Sequence, residues 1–343
     1  MNPKTIALTG GGTGGHVFPL LSVYNYINNK DIKFIWIGEK KSLEERISQE
    51  NKIEFHTIMS GKFRRYFDIK TFFEPAKIFF GIIEGIYYIW KYNIDTIFSK
   101  GGFVSIPLCI AGKIMGKKII IHESDTVIGL SNKIIGLLAT KVFFTFDNEK
   151  IDKKKYIKSS QILNPNLIKN IEETHQINEK QEVLVIAGSQ GSKIIFENLL
   201  KIIENFTDRN FTIILGDKNT NFRSEFEKYE NVIIYDFISQ DDLAKILEKS
   251  DIAITRAGAT SLWEQYYFGI KSVIIPLKSR AGNHQYHNGL YFKENFGSII
   301  LEENDVLNIQ LSKTIENLKD FRKENLNLEG FLDAIKKIKK ELK

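Results

Sequence analysis

Short apolar blocks fall at residues 5–9, 33–37, 53–57, 96–99, 118–121 and 141–144, and again at 182–187, 211–215, 232–235, 252–255, 272–275 and 298–301. They are rich in Ile, Val and Phe and bounded by polar residues, as strands buried on both faces are. Between most of them apolar residues recur at helical spacing. Alternation of strand and helix predicts an α/β chain built on doubly wound parallel sheets. In each half the first strand runs into a cluster of glycines, an echo at domain scale rather than a short repeat.

Residues 150–171 are polar and lysine-rich and contain Asn164-Pro165, a turn signal. They divide the chain into expected domains at 1–163 and 164–326. A length of 343 residues suits two domains of ordinary size. Near the end, Phe331, Ile335, Ile338 and Leu342 recur at helical spacing, with Lys336, Lys337, Lys339 and Lys340 between them. This predicts a last helix within 327–343, crossing back to the first domain, its basic face solvated rather than bound to lipid.

Residues 72–90 are unusually apolar and aromatic, with Phe72, Phe73, Phe79, Phe80, Tyr87, Tyr88 and Trp90. Glu74, Lys77 and Glu84 interrupt them, so no run approaches the ~20 apolar residues that span a bilayer. A core helix and a helix resting in a membrane interface both fit. The preceding Lys62-Phe63-Arg64-Arg65-Tyr66 adds the basic and aromatic character of a lipid-facing surface.

The composition is globular: 43% hydrophobic and 26% charged. The net charge of +6 is compatible with acidic substrates, nucleic acid or an anionic membrane, and selects none of them. The single cysteine, Cys109, excludes an internal disulfide framework, and its apolar setting reads as packing. The chain enters a strand directly from Met1, so no secretory signal is expected.

Candidate chemistry gathers after the strands. Gly10-Gly11-Gly12-Thr13-Gly14-Gly15-His16 and Gly188-Ser189-Gln190-Gly191-Ser192 each follow a strand and open a helix. Glycine allows close backbone approach, and a helix start offers free N–H groups and positive potential, so each loop is an anion site. Facing each other across a cleft, two such sites would suit diphosphate-bearing substrates.

His16 is placed either to take a proton near neutral pH or only to hydrogen-bond at the helix start. His122-Glu123-Ser124-Asp125 ends a strand, where the ligand crevice of such sheets lies. Its acids can contact sugar hydroxyls or act as base, or Ser124 or Asp125 can cap the next helix. In Arg256-Ala257-Gly258-Ala259-Thr260-Ser261-Leu262-Trp263-Glu264, Glu264 is expected in the first helical turn. There it accepts two ribose hydroxyls or merely complements the dipole. His284 and His287 have metal-like spacing with no third ligand nearby, so no metal is expected.

The first loop also fits G-x-G-x-x-G, with Glu39 after the second strand, so a nicotinamide oxidoreductase is a rival. Extra glycines and a second phosphate-type loop count against it.

Taken together, the glycine loop continuing as Val17-Phe18-Pro19, Phe98-Ser99-Lys100-Gly101-Gly102-Phe103, His122-Glu123-Ser124-Asp125, Gly188-Ser189-Gln190-Gly191 and Arg256-Ala257-Gly258-Ala259 resemble the MurG family. These are the peptidoglycan N-acetylglucosaminyltransferases that make lipid II from lipid I. The motifs cover nearly the whole chain. The resemblance implies two Rossmann-like domains of the GT-B type facing each other across a cleft. It implies UDP-GlcNAc as donor, held mainly by the second domain, with no further cofactor. It also implies undecaprenyl-linked lipid I as acceptor, an anionic membrane surface and cell-wall synthesis proteins as partners, no nucleic acid, and peripheral attachment at the cytoplasmic face of the bacterial plasma membrane. Another GT-B glycosyltransferase or a sugar-nucleotide epimerase would share the scaffold.

By the same resemblance Thr13, Gly14 and Gly15 lie beside the transferred sugar and diphosphate, Ser189 lies near the diphosphate, and the backbone of Ile238 meets uracil. Ala259, Thr260, Ser261, Leu262, Trp263 and Glu264 match the segment holding diphosphate and ribose, and Gln285 matches an amide on the sugar. His16 is the first candidate base, with Asp125 and Glu123 behind it. Two departures stand out. Asp125 replaces the Asn of many members, in the form seen in Gram-positive bacteria. Leu167 replaces a linker arginine, for which Arg256 is one substitute.

Overall fold

The apolar blocks become parallel strands because their residues can be buried on both faces: Ile6, Ala7 and Leu8 are all inaccessible to solvent. The computed structural model describes residues 3–61, 74–146, 155–169, 179–277, 283–323, 326 and 328–342. Two units are present, Met1–Leu163 with Leu332–Lys343, and Asn164–Phe331.

In the first unit the described elements are β1 (Lys4–Gly10), α1 (Gly14–Ile27), β2 (Ile32–Gly38), α2 (Leu43–Glu50), β3 (Glu54–Thr57), α3 (Glu74–Lys91), β4 (Ile94–Gly101), α4 (Ser105–Ile114), β5 (Lys118–Glu123), α5 (Leu130–Leu138), β6 (Lys141–Phe144) and β7 (Tyr156–Lys158). The strands form one parallel sheet in the order β3-β2-β1-β4-β5-β6-β7. Helix α2 starts where Ser42 accepts from the Glu45 N–H, with Glu44 and Glu45 in its first turn.

The second unit repeats the plan with β8 (Gln181–Ile186), α6 (Lys193–Leu200), β9 (Arg209–Ile214), α7 (Arg223–Phe226), β10 (Val232–Tyr235), α8 (Gln240–Lys249), β11 (Ile252–Thr255), α9 (Ala259–Tyr267), β12 (Lys271–Ile274), α10 (His284–Phe296), β13 (Ile299–Ile300) and α11 (Leu307–Asn317). Its parallel sheet runs β10-β9-β8-β11-β12-β13. In both sheets the order reverses beside the first strand, between β1 and β4 and between β8 and β11. Loops leaving those strands open a crevice at their carboxyl ends.

The last helix, α12 (Asp333–Leu342), belongs to the first unit. Ala334, Ile335, Ile338 and Leu342 enter the core cluster that holds Ile6, Val17 and Leu20. The expected stripe breaks at its start: Phe331 precedes the helix and packs on Tyr267 of the second unit.

Two expectations are revised. Strand β7 lies inside the stretch read as linker. As an edge strand it is short and lysine-bearing, which masks its apolar signal. Helix α3 is not a core helix. Its buried residues are Glu74, Gly81, Gly85 and Ile89, and its glycines let it lie close on the backbone at Met59 and on Leu108 and Ala111 of α4. Phe79, Phe80, Tyr87 and Trp90 face outward, with Phe79 60% and Trp90 70% exposed, whereas Tyr88 is half-buried and donates to the Thr57 carbonyl. Residues 62–73, which include the basic cluster and Phe72 and Phe73, lie outside the described residues. No described helix is long and apolar enough to cross a membrane.

Candidate active site

In the first unit three loops meet at the carboxyl ends of β1, β4 and β5. The glycine run after β1 opens α1, with Thr13 as N-cap in extended conformation. Its Gly11 touches the β4 loop so closely that a side chain at Gly102, where φ is +86°, would come within 2.8 Å of the Gly11 carbonyl. That carbonyl also accepts from the His16 Nδ1, 2.9 Å away. An Nδ1–H tautomer leaves Nε2 as the acceptor nitrogen, the form a base requires. Thr13 and Gly15 are exposed and Gly14 and His16 half-buried. Glu44 is buried beneath the loop, filling the space a side chain at Gly11 would need. It accepts the Glu39 N–H at 3.2 Å, and among the described residues its Oε2 has no hydrogen-bond partner.

The turn after β5 is a built structure. The Glu123 carboxylate accepts from the Asp125 N–H (3.0 Å), the Gly129 N–H (3.1 Å) and the Asn132 side chain (3.0 Å). These bonds fill both oxygens, so Glu123 holds the turn rather than waiting to take a proton. Asp125 is half-buried at its tip. Beneath lies Lys100, whose Nζ donates to His122 Nδ1 at 2.8 Å and to the Ser124 hydroxyl. His122 Nε2–H donates in turn to the Ser160 carbonyl at 3.2 Å. Burial and the neighbouring ammonium keep His122 well below the usual histidine range, hence neutral. Burial lowers Lys100 to about 8, opposed by the charges of Glu123 and Asp125.

The second unit presents a comparable edge. Gly188-Ser189-Gln190-Gly191 leads to Ser192, which caps α6. Gly191 (φ +69°) has no room for a side chain, which would overlap the Leu215 carbonyl. Arg256 reaches from the end of β11 to this loop. Its Nη2 donates to the Ser192 hydroxyl at 2.6 Å and its Nη1 to the Ile275 carbonyl at 2.9 Å, and it pairs with Glu303. Arg256 is thus part of the floor of the loop. Ile238 is half-buried, just before the Ser239 cap of α8. Gln285 stands in the first turn of α10 and accepts the Leu277 N–H through Oε1 at 2.9 Å.

Helix α9 corrects the expected arrangement. It begins at Ala259 with no acidic residue in its first turn. Glu264 comes one turn later and is buried, and burial pushes its carboxyl up to about 8. Leu262 is core, and Trp263 packs against Tyr266, Tyr267, Phe292 and Phe296. Thr260 and Ser261, both half-buried, and the N–H groups of the helix start remain as contact groups. His284 and His287 are exposed, and among the described residues no three His, Cys, Asp or Glu side chains are grouped to hold a metal.

Residues 6–144 match the Glycosyltransferase family 28 N-terminal domain, and residues 182–342 the Glycosyltransferase family 28 C-terminal domain. The chain belongs to glycosyltransferase family 28. A relative from Borreliella afzelii (strain PKo) is 35% identical over 342 residues, covering 95% of this chain and 91% of its own. It is named UDP-N-acetylglucosamine–N-acetylmuramyl-(pentapeptide) pyrophosphoryl-undecaprenol N-acetylglucosamine transferase. The crystal structure of Acinetobacter baumannii MurG superposes with a TM-score of 0.73 at 23% identity, over 93% of this chain and 91% of that one. UDP-GlcNAc 2-epimerase from Neisseria meningitidis, bound to UDP-GlcNAc, gives 0.68 at 12% identity, over 100% and 99%. The scaffold is therefore shared with epimerases, and family 28 is fixed by sequence. Membership removes the nicotinamide rival.

Within this family-28 frame the position of the missing linker arginine is a buried plug. Leu167 is inaccessible in the short turn Pro165–Ile168, which packs on α8. Three residues packed against the candidate loops were not singled out as site candidates in the sequence. Glu44 carries no local signal, because only the fold sets it under Gly11. Glu303 pairs with Arg256 from a distant loop. Lys100 lies within a recognisable motif, but nothing in one dimension shows that it points inward.

Proposed function

We propose that this chain is an inverting N-acetylglucosaminyltransferase that moves GlcNAc from UDP-GlcNAc to the C4 hydroxyl of MurNAc in lipid I, giving lipid II and UDP. The observation that carries this reading is the near full-length relationship to transferases bearing that name. The second unit is the donor domain: the 188–192 loop, the start of α9, Glu264, Ile238 and Gln285 serve UDP-GlcNAc. The first unit is the acceptor domain: Thr13, Gly14, Gly15, His16 and the 122–125 turn serve lipid I and the transferred sugar.

The acceptor hydroxyl attacks the anomeric carbon, its proton passes to His16 Nε2, and the C–O bond to UDP breaks with inversion. His16 is favoured as base because its Nδ1–H is anchored on Gly11, which orients the ring. Asp125 is second. Glu123 is withdrawn to a supporting role by its three hydrogen bonds. Negative charge growing on the departing diphosphate is met by N–H groups of the second glycine loop and the start of α6.

A lipid acceptor supports peripheral attachment, in this reading at the cytoplasmic face of the plasma membrane, with the exposed aromatic face of α3 as the docking element and cell-wall synthesis proteins as partners. The test is transfer of labelled GlcNAc from UDP-GlcNAc to a lipid I analogue. His16→Ala should keep UDP affinity and lose turnover by roughly 10²–10⁴-fold. Near-normal kcat would move the base to Asp125. Label released as a free epimer, with none on the acceptor, would refute transfer.

A further inference from the structure

Glu44 is a buried acid that the transfer step does not use. It stands in the first turn of α2 and is inaccessible to solvent. The turn before it is tied down. The Ser42 hydroxyl donates to the Glu39 carbonyl at 2.5 Å and accepts the Glu45 N–H at 3.2 Å, and the Glu39 N–H donates to Glu44 Oε1 at 3.2 Å. These bonds set the start of α2 and with it the root of the Glu44 side chain.

From that root the side chain runs between two glycines. A Cβ at Gly38 would come within 2.7 Å of Glu44 Cγ, and one at Gly11 would overlap Glu44 Oε1. The three atoms nearest to the second position all belong to the Glu44 carboxyl. Neither Gly11 nor Gly38 has a positive φ, so the backbone conformation does not call for glycine at either place. What the two glycines supply is room for this one carboxyl group. The turn accounts for Oε1. Among the described residues Oε2 has no hydrogen-bond partner, a buried acceptor left open at the foot of the first glycine loop.

Gly11 is also the residue that holds His16, because its carbonyl accepts from Nδ1 at 2.9 Å. One glycine therefore joins the two side chains, with Glu44 beside its Cα and His16 on its carbonyl. Resting on the reading of His16 as base, we propose that Glu44 is a positioning residue: its carboxyl is a wedge that fixes the Gly11 peptide and, through the Gly11 carbonyl, the tautomer and tilt of the His16 ring. Glu44 touches no substrate. A shift of about 1 Å at a reacting group can cost on the order of 10²-fold, so a wedge under this peptide bears on turnover.

Glu44→Ala removes the wedge. Glu44→Gln keeps its shape and an oxygen to accept the Glu39 N–H. Glu44→Ala should lower kcat with a lipid I analogue by roughly 10–100-fold, with UDP affinity unchanged within about twofold. Glu44→Gln should restore kcat to within about threefold of wild type. On a His16→Ala background Glu44→Ala should cost less than about twofold, because both changes act through one ring. Gly11→Ala should slow the wild-type enzyme, and its cost should shrink once Glu44→Ala has cleared the space.

Nitrogen-15 NMR of the His16 imidazole, assigned with His16→Ala and taken where the ring is neutral, reads the same coupling without turnover. Wild type and Glu44→Gln should show a protonated Nδ1 and a bare Nε2. In Glu44→Ala the two nitrogen shifts should draw together as the tautomers mix. An unmoved His16 spectrum, equal losses in the Ala and Gln variants, or losses that multiply with His16→Ala would overturn the role. Wild type failing to transfer GlcNAc, or His16→Ala keeping its kcat, would instead count against the functional reading, and the His16 spectrum would still decide the wedge. Should Glu44→Ala not fold, Glu44→Asp, one methylene shorter, takes its place in both measurements.

Discussion

At Glu264, helix α9 holds a buried carboxyl, and among the described residues no cation offsets its burial. Its position after Arg256-Ala257-Gly258-Ala259 was legible in the sequence; its depth was not, because a one-turn displacement along a helix cannot be read without the packing around it. An acid held up at about 8 stays protonated in the folded protein while the unfolded chain ionises at ordinary carboxylate pH. The folded state then binds more protons between those values, so this group's contribution is full below the ordinary range and is lost as pH rises through about 8. Glu264→Gln cannot ionise. Its melting temperature should match wild type near pH 4 and exceed it by about 3 °C or more near pH 8. Calorimetry at both pH values checks this, and an equal offset at the two would reject it. The Glu264→Ala variant should raise KM for UDP-GlcNAc by about tenfold while sparing kcat, as loss of a contact made equally in ground and transition states does. A fall in kcat at unchanged KM would remove Glu264 from ribose binding.

Among the elements, strands were the most legible. Buried parallel strands are continuous apolar runs, and a single sequence shows them directly. Helix α3 was the least legible, since its composition inverts the usual sense: Gly81 and Gly85 lie with Glu74 and Ile89 on the buried side, while Phe79, Phe80, Tyr87 and Trp90 face water. The cause is the close approach to Met59 and α4, which leaves no room for a side chain at Gly81 or Gly85. Phe79, Phe80, Ile83, Tyr87 and Trp90 are left exposed, and Ile114 and Met115 at the end of α4 are also exposed. Such a face suits an apolar partner. Under the proposed function, in which the acceptor is tethered to a bilayer, the membrane surface would be that partner. Replacing Phe79, Phe80 and Trp90 together with Ser should reduce co-sedimentation with vesicles containing anionic lipid by at least about tenfold, as ~25 cal/mol per Å² of buried apolar area is lost at each ring. Activity on a short-chain soluble acceptor should be retained, because the candidate loops lie at the carboxyl ends of β1, β4 and β5 and α3 contributes none of their residues. Vesicle binding that survives the triple change would locate docking elsewhere.

At the scale of the whole molecule, the second sheet repeats the order of the first without its last strand, β7, and both put their glycine loops at the same place, beside the reversal of order. The parallel sheets and the glycine loop after each first strand were legible in the alternation of strand and helix; the strand order was not. The path of the chain's end followed less fully: a helix was legible from its spacing, whereas Phe331 and Ile335 share that spacing yet serve different cores. The reason is physical. Periodicity reports that a face is buried and is silent about what buries it. Helix α12 closes the first unit by apolar and polar contacts together. Ile335, Ile338 and Leu342 are buried in its core, the Ala334 N–H donates to the Ser160 hydroxyl at 3.0 Å, and Lys118 pairs with Glu341 at 2.8 Å. Ile338→Ala should therefore destabilise the first unit by about 2–5 kcal/mol. Truncation after Phe331 should cost more. It would uncover Ile6, Val17 and Leu20 and remove the partner of Ser160, whose carbonyl fixes His122. Because two units can melt separately, amide hydrogen exchange resolved by region is the measurement. Protection should fall across β1, α1 and β5 in both variants, while β8 to β12 and UDP binding keep wild-type values. Loss of protection centred on the second unit would mean that α12 stabilises that unit instead.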